Sequence, residues 1–93
     1  MKKDITDRFF EFHNANPLVY ALFQQYAIQA IDSGAKKIGA KAIYERLRWN
    51  LYFETKGDLK YKLNNDYVSR YARLFIHDFP EYSHKIETRT LKS

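Results

Sequence analysis

The chain reads as a single α+β domain, mostly helical, with three to four helices and a small two-stranded antiparallel sheet. Three observations predict it. Apolar residues recur at helical spacing in four separate stretches, two short stretches alternate apolar with polar residues instead, and the breaks between them carry Pro, Gly or Asn. Ninety-three residues can enclose one core and not two, so positions 1–93 form one domain of modest stability.

Ile5, Phe9 and Phe12 fall at i, i+4 and i+7, one face of a helix over Asp4 to Asn14, with Phe10 and His13 beside that stripe. Asn14-Ala15-Asn16-Pro17 interrupts it. The Asn16 side-chain oxygen is placed to cap the next helix, and Pro17 suits the first helical position, where its missing N–H costs nothing. The second helix runs from Pro17 to Ser33, with Val19, Leu22, Phe23, Tyr26, Ala27, Ala30 and Ile31 inward, and Gly34 supplies a left-handed stop. After the connector Ala35–Gly39, a third helix spans Ala40 to Phe53 and buries Ala40, Ile43, Leu47 and Leu51. Thr55-Lys56-Gly57-Asp58 is turn chemistry. Leu59-Lys60-Tyr61-Lys62-Leu63 then alternates apolar and cationic residues, as a half-exposed strand does.

Asn64-Asn65-Asp66 offers caps for the last long helix, Asp66 to His77. Its core stripe is Val68, Tyr71, Ala72, Phe75 and Ile76, and Asp66, Arg70, Arg73 and His77 fall on the opposite side. Phe79-Pro80 ends it. His84 to Leu91 alternates again and carries the β-branched Thr88 and Thr90, which predicts an edge strand. Strands this short persist only when paired against helices, so an antiparallel pair between residues 59–63 and roughly 84–91 is expected.

Composition narrows the function. Hydrophobic residues at 45% and charged residues at 29% are globular proportions. No run approaches the ~18 uncharged apolar residues of a membrane span. Met1-Lys2-Lys3-Asp4 leads into a charged amphipathic stretch rather than a secretory signal, so a soluble cytoplasmic protein away from membranes is expected. Without cysteine there are no disulfides, thiolate metal sites or cysteine nucleophiles. His13, His77 and His84 share no ligand spacing. Gly34, Gly39 and Gly57 cannot build a phosphate-cradling loop, and Ser33, Ser69, Ser83 and Ser93 sit in no nucleophile-elbow context. Glu45 and Glu54 upstream of Asp58-Leu59-Lys60 faintly echo metal-dependent nucleases, in which carboxylates hold a divalent cation and a lysine polarises the attacking water. Lysine-rich chains produce that pattern by chance. No catalytic activity, metal or cofactor is expected.

The charge carries more content. The net charge is +5, and residues 36–73 hold ten basic side chains against four acidic ones, a local balance of +6. Such a segment suits a polyanion, although a basic surface can also serve solubility alone. Arg70 and Arg73 lie one helical turn apart after the polar start Asn64, Asn65 and Ser69. Arginine forks onto guanine or phosphate and asparagine onto adenine, so this helix could enter a major groove. Lys36, Lys37 and Lys41, with Lys60 and Lys62 on one strand face, could hold the phosphate backbone. The candidate nucleic-acid-binding residues are therefore Lys36, Lys37, Lys41, Lys60, Lys62, Asn65, Ser69, Arg70 and Arg73, with DNA favoured over RNA. The alternative is an arginine face that is merely solvated or paired with Asp66 and Asp78.

Aromatic residues reach 17%. Tyr44, Trp49, Tyr52, Tyr61, Tyr67 and Tyr71 interleave with arginines and lysines; exposed, they could stack on unpaired bases, and buried, they fill a small core. Phe9, Phe10, Phe12, Phe23, Phe53, Phe75 and Phe79 are expected inside, unless a surplus on the first segment marks a homodimer or a protein-partner surface.

Several of these words together resemble one family. Phe9-Phe10-Glu11-Phe12-His13, Asn16-Pro17-Leu18-Val19-Tyr20, Ile38-Gly39-Ala40-Lys41-Ala42-Ile43, Glu45-Arg46-Leu47-Arg48-Trp49, Asn64 through Leu74 and Glu87-Thr88-Arg89 are similar to a group of small bacterial proteins from phage and prophage neighbourhoods with no assigned role. The resemblance runs from Phe9 to Ser93 and implies a phage-associated accessory context, with no active or binding residue to transfer. A looser resemblance is to winged helix-turn-helix domains. Ile38 to Trp49 matches their first helix, Asn65 to His77 the recognition helix and His84 to Leu91 part of a wing. Against it, a helix-turn-helix joins its helices through ~3–4 residues. Here about ten intervene, including the 59–63 strand, so a winged-helix variant is one version of the expected fold.

Overall fold

The computed structural model describes residues 4–55 and 65–87. Among them are four α-helices, α1 (Ile5–Ala15), α2 (Pro17–Asp32), α3 (Ala40–Thr55) and α4 (Val68–Asp78), and two short strands, β1 (Ile38–Gly39) and β2 (Ile86–Glu87). 3-10 turns at Asn65–Tyr67 and Pro80–Lys85 flank α4. The mostly helical α+β class is therefore observed.

Local chemistry sets most helix ends. Asp4 caps α1, its Oδ1 accepting from the Asp7 N–H at 2.9 Å. Asn16, expected to cap α2, makes no side-chain cap there. Instead its Nδ2 donates to the Phe12 carbonyl at 3.1 Å and its backbone N–H donates to the same oxygen at 2.8 Å. With one residue between two helices, Asn16 can serve the carbonyls ending α1 or the amides opening α2, and Pro17 has already removed one orphan amide on the α2 side. Gly34 ends α2 as expected, at φ 104°, while the Ala35 N–H reaches back to the Ala30 carbonyl at 3.1 Å. A Cβ at Gly34 would meet nothing within 4 Å, so Gly34→Ala carries only the backbone penalty. The expected cost is about 1–2 kcal/mol, read as a fall in Tm of about 4–8 °C per kcal/mol.

The core is built around Tyr71. Its ring lies 4.7 Å from Phe9 of α1, 6.0 Å from Tyr20 and from Phe23 of α2, and 6.1 Å from Tyr44 of α3, so α4 contacts all three other helices through one side chain. Phe75 continues this stripe onto Phe23, Phe79 and Tyr82, which seats the Pro80–Lys85 turn against α4. Ala40, Ile43, Leu47 and Leu51 are buried along α3, with Tyr44 beside them. Two phenylalanines depart from the expected core: Phe10 is 48% and Phe53 67% exposed. Each belongs to a helix whose buried stripe is already filled by neighbours, Phe9 on α1 and Leu47 with Leu51 on α3.

The sheet differs from expectation. Its strands are parallel, not antiparallel, with Ile38 opposite Ile86 and Gly39 opposite Glu87. Parallel pairing requires a crossover, and the chain supplies one through α3, α4 and the turns around it. His84 and Lys85 belong to the 3-10 turn that Pro80 opens, so the late strand is confined to Ile86–Glu87 in the described chain. The expected strand at 59–63, and the end of the late one at 88–91, lie outside the described residues.

One polar contact ties the helices across the core rim. The Tyr20 hydroxyl donates to the Asp78 carboxylate at 2.5 Å. That bond holds the Asp78 carboxyl below the usual carboxylate range. Burial first, then the Asp78 bond and charge, push the Tyr20 phenol above its usual value. A depressed carboxyl contributes stability above its unfolded pKa and loses it as pH falls through the folded value. The Asp78 side chain is 38% exposed, so water screens the pair. Tyr20→Phe is therefore expected to cost about 1 kcal/mol at neutral pH, the gap from the parent chain narrowing as pH falls below the ordinary aspartate range in urea unfolding.

Candidate nucleic-acid interface

Burial of Tyr71, Ala72 and Phe75 fixes the rotation of α4, and at ~100° per residue this turns Arg70, Arg73 and His77 outward. Arg73 is exposed and Arg70 half-exposed, its Nη1 donating to the backbone carbonyl of Asp66 at 3.3 Å. Ser69 is half-buried one turn before Arg73. Neither guanidinium is ion-paired with a carboxylate among the described residues. The Asp78 carboxylate, a candidate partner, is instead engaged by the Tyr20 hydroxyl, with His77 Nδ1 at 3.4 Å. The reason is helical phase: Asp78 falls on the side of α4 that meets α2, away from the arginines.

The lysines form a second group. Lys36 and Lys37 are exposed on the connector leading into β1, and Lys41 is exposed in the first turn of α3, so the three bracket β1. Asn65 opens the 3-10 turn before α4. Lys60 and Lys62 lie outside the described residues. The expected site thus divides into an arginine pair on α4 and a lysine group around β1.

The interleaved aromatics divide as well. Tyr44, Tyr67 and Tyr71 are core, Tyr61 lies outside the described residues, and Trp49, Tyr52 and Phe53 stand out of α3 at 57%, 51% and 67% exposure. These three rings form a cluster: Trp49 and Phe53 are near-parallel at 5.5 Å and 24°, with Tyr52 edge-on to both. Arg46, also absent from the expected site, is exposed and sets its guanidinium over the Tyr26 ring at 4.9 Å. It borders an open groove of about 560 Å³ between α2 and α3, lined also by Ala30, Ile38, Ala42 and Ile43. A signal for both features was present: once Ala40, Ile43, Leu47 and Leu51 define the inner face of α3, positions 46, 49, 52 and 53 fall outside it.

Among the described residues no three His, Asp or Glu side chains gather as a metal-type cluster. Glu45 of the nuclease-like echo lies 3.8 Å from Arg48, and Asp58 and Lys60 lie outside the described residues. His13 stacks on Phe9 at 5.9 Å, inside the aromatic layer. No described helix is long and apolar enough to cross a membrane. No family model matches the chain, and comparison with curated proteins and with solved structures finds no match.

Proposed function

We propose that the chain is a non-catalytic nucleic-acid-binding accessory protein, acting on DNA, cytoplasmic and of the phage-associated kind its sequence resembles. The observation that carries the reading is the pair Arg70 and Arg73, turned outward one turn apart on α4 without a carboxylate partner among the described residues. In this reading α4 approaches the duplex as the recognition helix of a winged-helix variant, with Arg70, Arg73, Ser69 and Asn65 toward the groove. Lys36, Lys37 and Lys41, joined by Lys60 and Lys62, then contact phosphates. Guanidiniums without a carboxylate partner lose little by transfer to phosphate and gain charge-assisted bonds there.

The test is fluorescence anisotropy with labelled duplex DNA, single-stranded DNA and RNA at ~50 mM salt, repeated as salt is raised. Binding that falls steeply with salt supports the reading; no binding to any of the three at low salt ends it. A second reading, a homodimer or a protein-interaction module such as a phage-encoded inhibitor, rests on Phe10 and Leu18, exposed by 48% and 55% on α1 and at the start of α2. A stoichiometric protein complex that survives nuclease and high salt, and is lost in Phe10→Ser, would favour it.

A further inference from the structure

Ala42, Arg46, Trp49 and Phe53 follow one another at spacings of four, three and four, which places them on one strip of α3. The strip starts at the α2–α3 groove, whose wall includes Ala42 and Arg46, and runs into the exposed ring cluster. From Ala42 to Phe53 it covers roughly 16 Å of helix. Lys36 and Lys37 stand immediately before Ile38, which lines the same groove. One face of α3 therefore joins a guanidinium to water-exposed aromatic rings, with the two lysines on the connector that leads into the same groove.

Rings exposed to this degree mark a contact surface, and two features choose its occupant. The first is ring geometry. Trp49 and Phe53 are already near-parallel, so a further flat ring can extend their stack without a change of rotamer, whereas an aliphatic side chain has no use for that alignment. The second is charge. The strip itself carries Arg46; Glu45, one turn before Trp49 at its edge, lies 3.8 Å from Arg48, and Glu54 is rotated by ~100° from Phe53. Flat rings beside cations complement flat rings joined by phosphates. A duplex keeps its base faces stacked on each other and shows only their edges, so the strip suits an unpaired strand.

We infer that the Ala42–Phe53 strip of α3 is a platform for single-stranded nucleic acid, with bases stacked on the Trp49–Phe53 rings and a phosphate at Arg46. The inference rests on the nucleic-acid reading above and adds a second set of residues to it, on a different helix from the α4 arginines.

The chain has one tryptophan beside eight tyrosines, so fluorescence excited at the red edge of the absorption, where tyrosine does not absorb, reports Trp49 alone. The experiment titrates the full chain with oligothymidylate of about 15 nucleotides, and with a duplex of equal length, following Trp49 emission and the anisotropy of a label on the DNA. Oligothymidylate is expected to quench Trp49 and the duplex to bind without quenching. Phe53→Ala should weaken oligothymidylate binding between about fivefold and a hundredfold while leaving duplex affinity unchanged, and Phe53→Tyr should restore it. Phe53 is 67% exposed, so an unchanged Tm certifies that the variant folds. Oligothymidylate bound without quenching, and with equal affinity by Phe53→Ala, overturns the platform while the nucleic-acid reading stands. Failure of both DNAs to bind overturns the two together. Emission that changes with protein concentration alone, with a dimer in sedimentation that Phe53→Ala dissolves, overturns the platform in favour of self-association.

Discussion

If the proposed DNA-binding function holds, the double variant Arg70→Ala/Arg73→Ala is expected to bind duplex DNA about tenfold to a hundredfold more weakly than the parent chain at low salt and to unfold at the same temperature. Both side chains point away from the buried stripe of Tyr71, Ala72 and Phe75, so their removal opens no cavity. Arg70 gives up one hydrogen bond, to the Asp66 carbonyl at a water-exposed turn, and that oxygen can bind water instead. The diagnostic quantity is the salt slope. Each phosphate contact releases condensed counterions and contributes about 0.9 to the slope of log affinity against log salt, so the double variant's slope falls by about 2. If the arginines read base edges instead, affinity falls with little change in slope and discrimination between sequences is lost. Unchanged affinity and unchanged slope together would remove α4 from the interface.

Tyr71→Ala is expected to cost more stability than the other substitutions proposed above. The ring meets Phe9, His13, Tyr20, Phe23 and Tyr44, so its deletion leaves a cavity bordered by α1, α2 and α3 at once. Truncating a buried aromatic ring costs about 3–5 kcal/mol. A domain of this size commands about 5–14 kcal/mol in total. Thermal unfolding should show either no cooperative transition at all or a Tm lowered by more than about 10 °C. Tyr71→Phe keeps the ring contacts and should lose less than about 2 kcal/mol. A Tyr71→Ala chain that unfolds cooperatively within a few degrees of the parent would show that the four helices do not depend on this junction. Removal of the exposed Phe53 ring should change stability by only about 0.5 kcal/mol.

The helices were legible because their causes are local. Pro17, Gly34 and the apolar periods place α2 and α3 within two residues of the observed bounds, and α4 differs at its start, where Asn65–Tyr67 winds as a 3-10 turn before the α-helix begins at Val68. The outward phase of Arg70 and Arg73 followed from the positions of Tyr71, Ala72 and Phe75, since one stripe fixes its opposite. The same reasoning applied to α3 exposes Arg46, Trp49 and Phe53. Residue type alone expects Phe53 inside and leaves Trp49 open between stacking surface and core, whereas the angle around the helix places both outside. Asn16 was assigned its familiar capping role, and only the one-residue junction between α1 and α2 shows which helix claims its donors.

Composition and spacing by themselves determined the mostly helical class, the breaks between helices, and the +6 balance of residues 36–73, all properties of neighbouring positions along the chain. Strand pairing is of another kind. Alternation tells which face of a strand is apolar and says nothing of the direction or identity of its partner. The parallel match of Ile38 with Ile86 exists because α3, α4 and the Pro80–Lys85 turn carry the chain back to β1 running the same way, with Tyr82 packed on Phe75 and Phe79. Tertiary packing likewise engaged Asp78 with Tyr20 instead of with an arginine. Each of these depends on distances between residues far apart in the chain, which local periodicity does not encode.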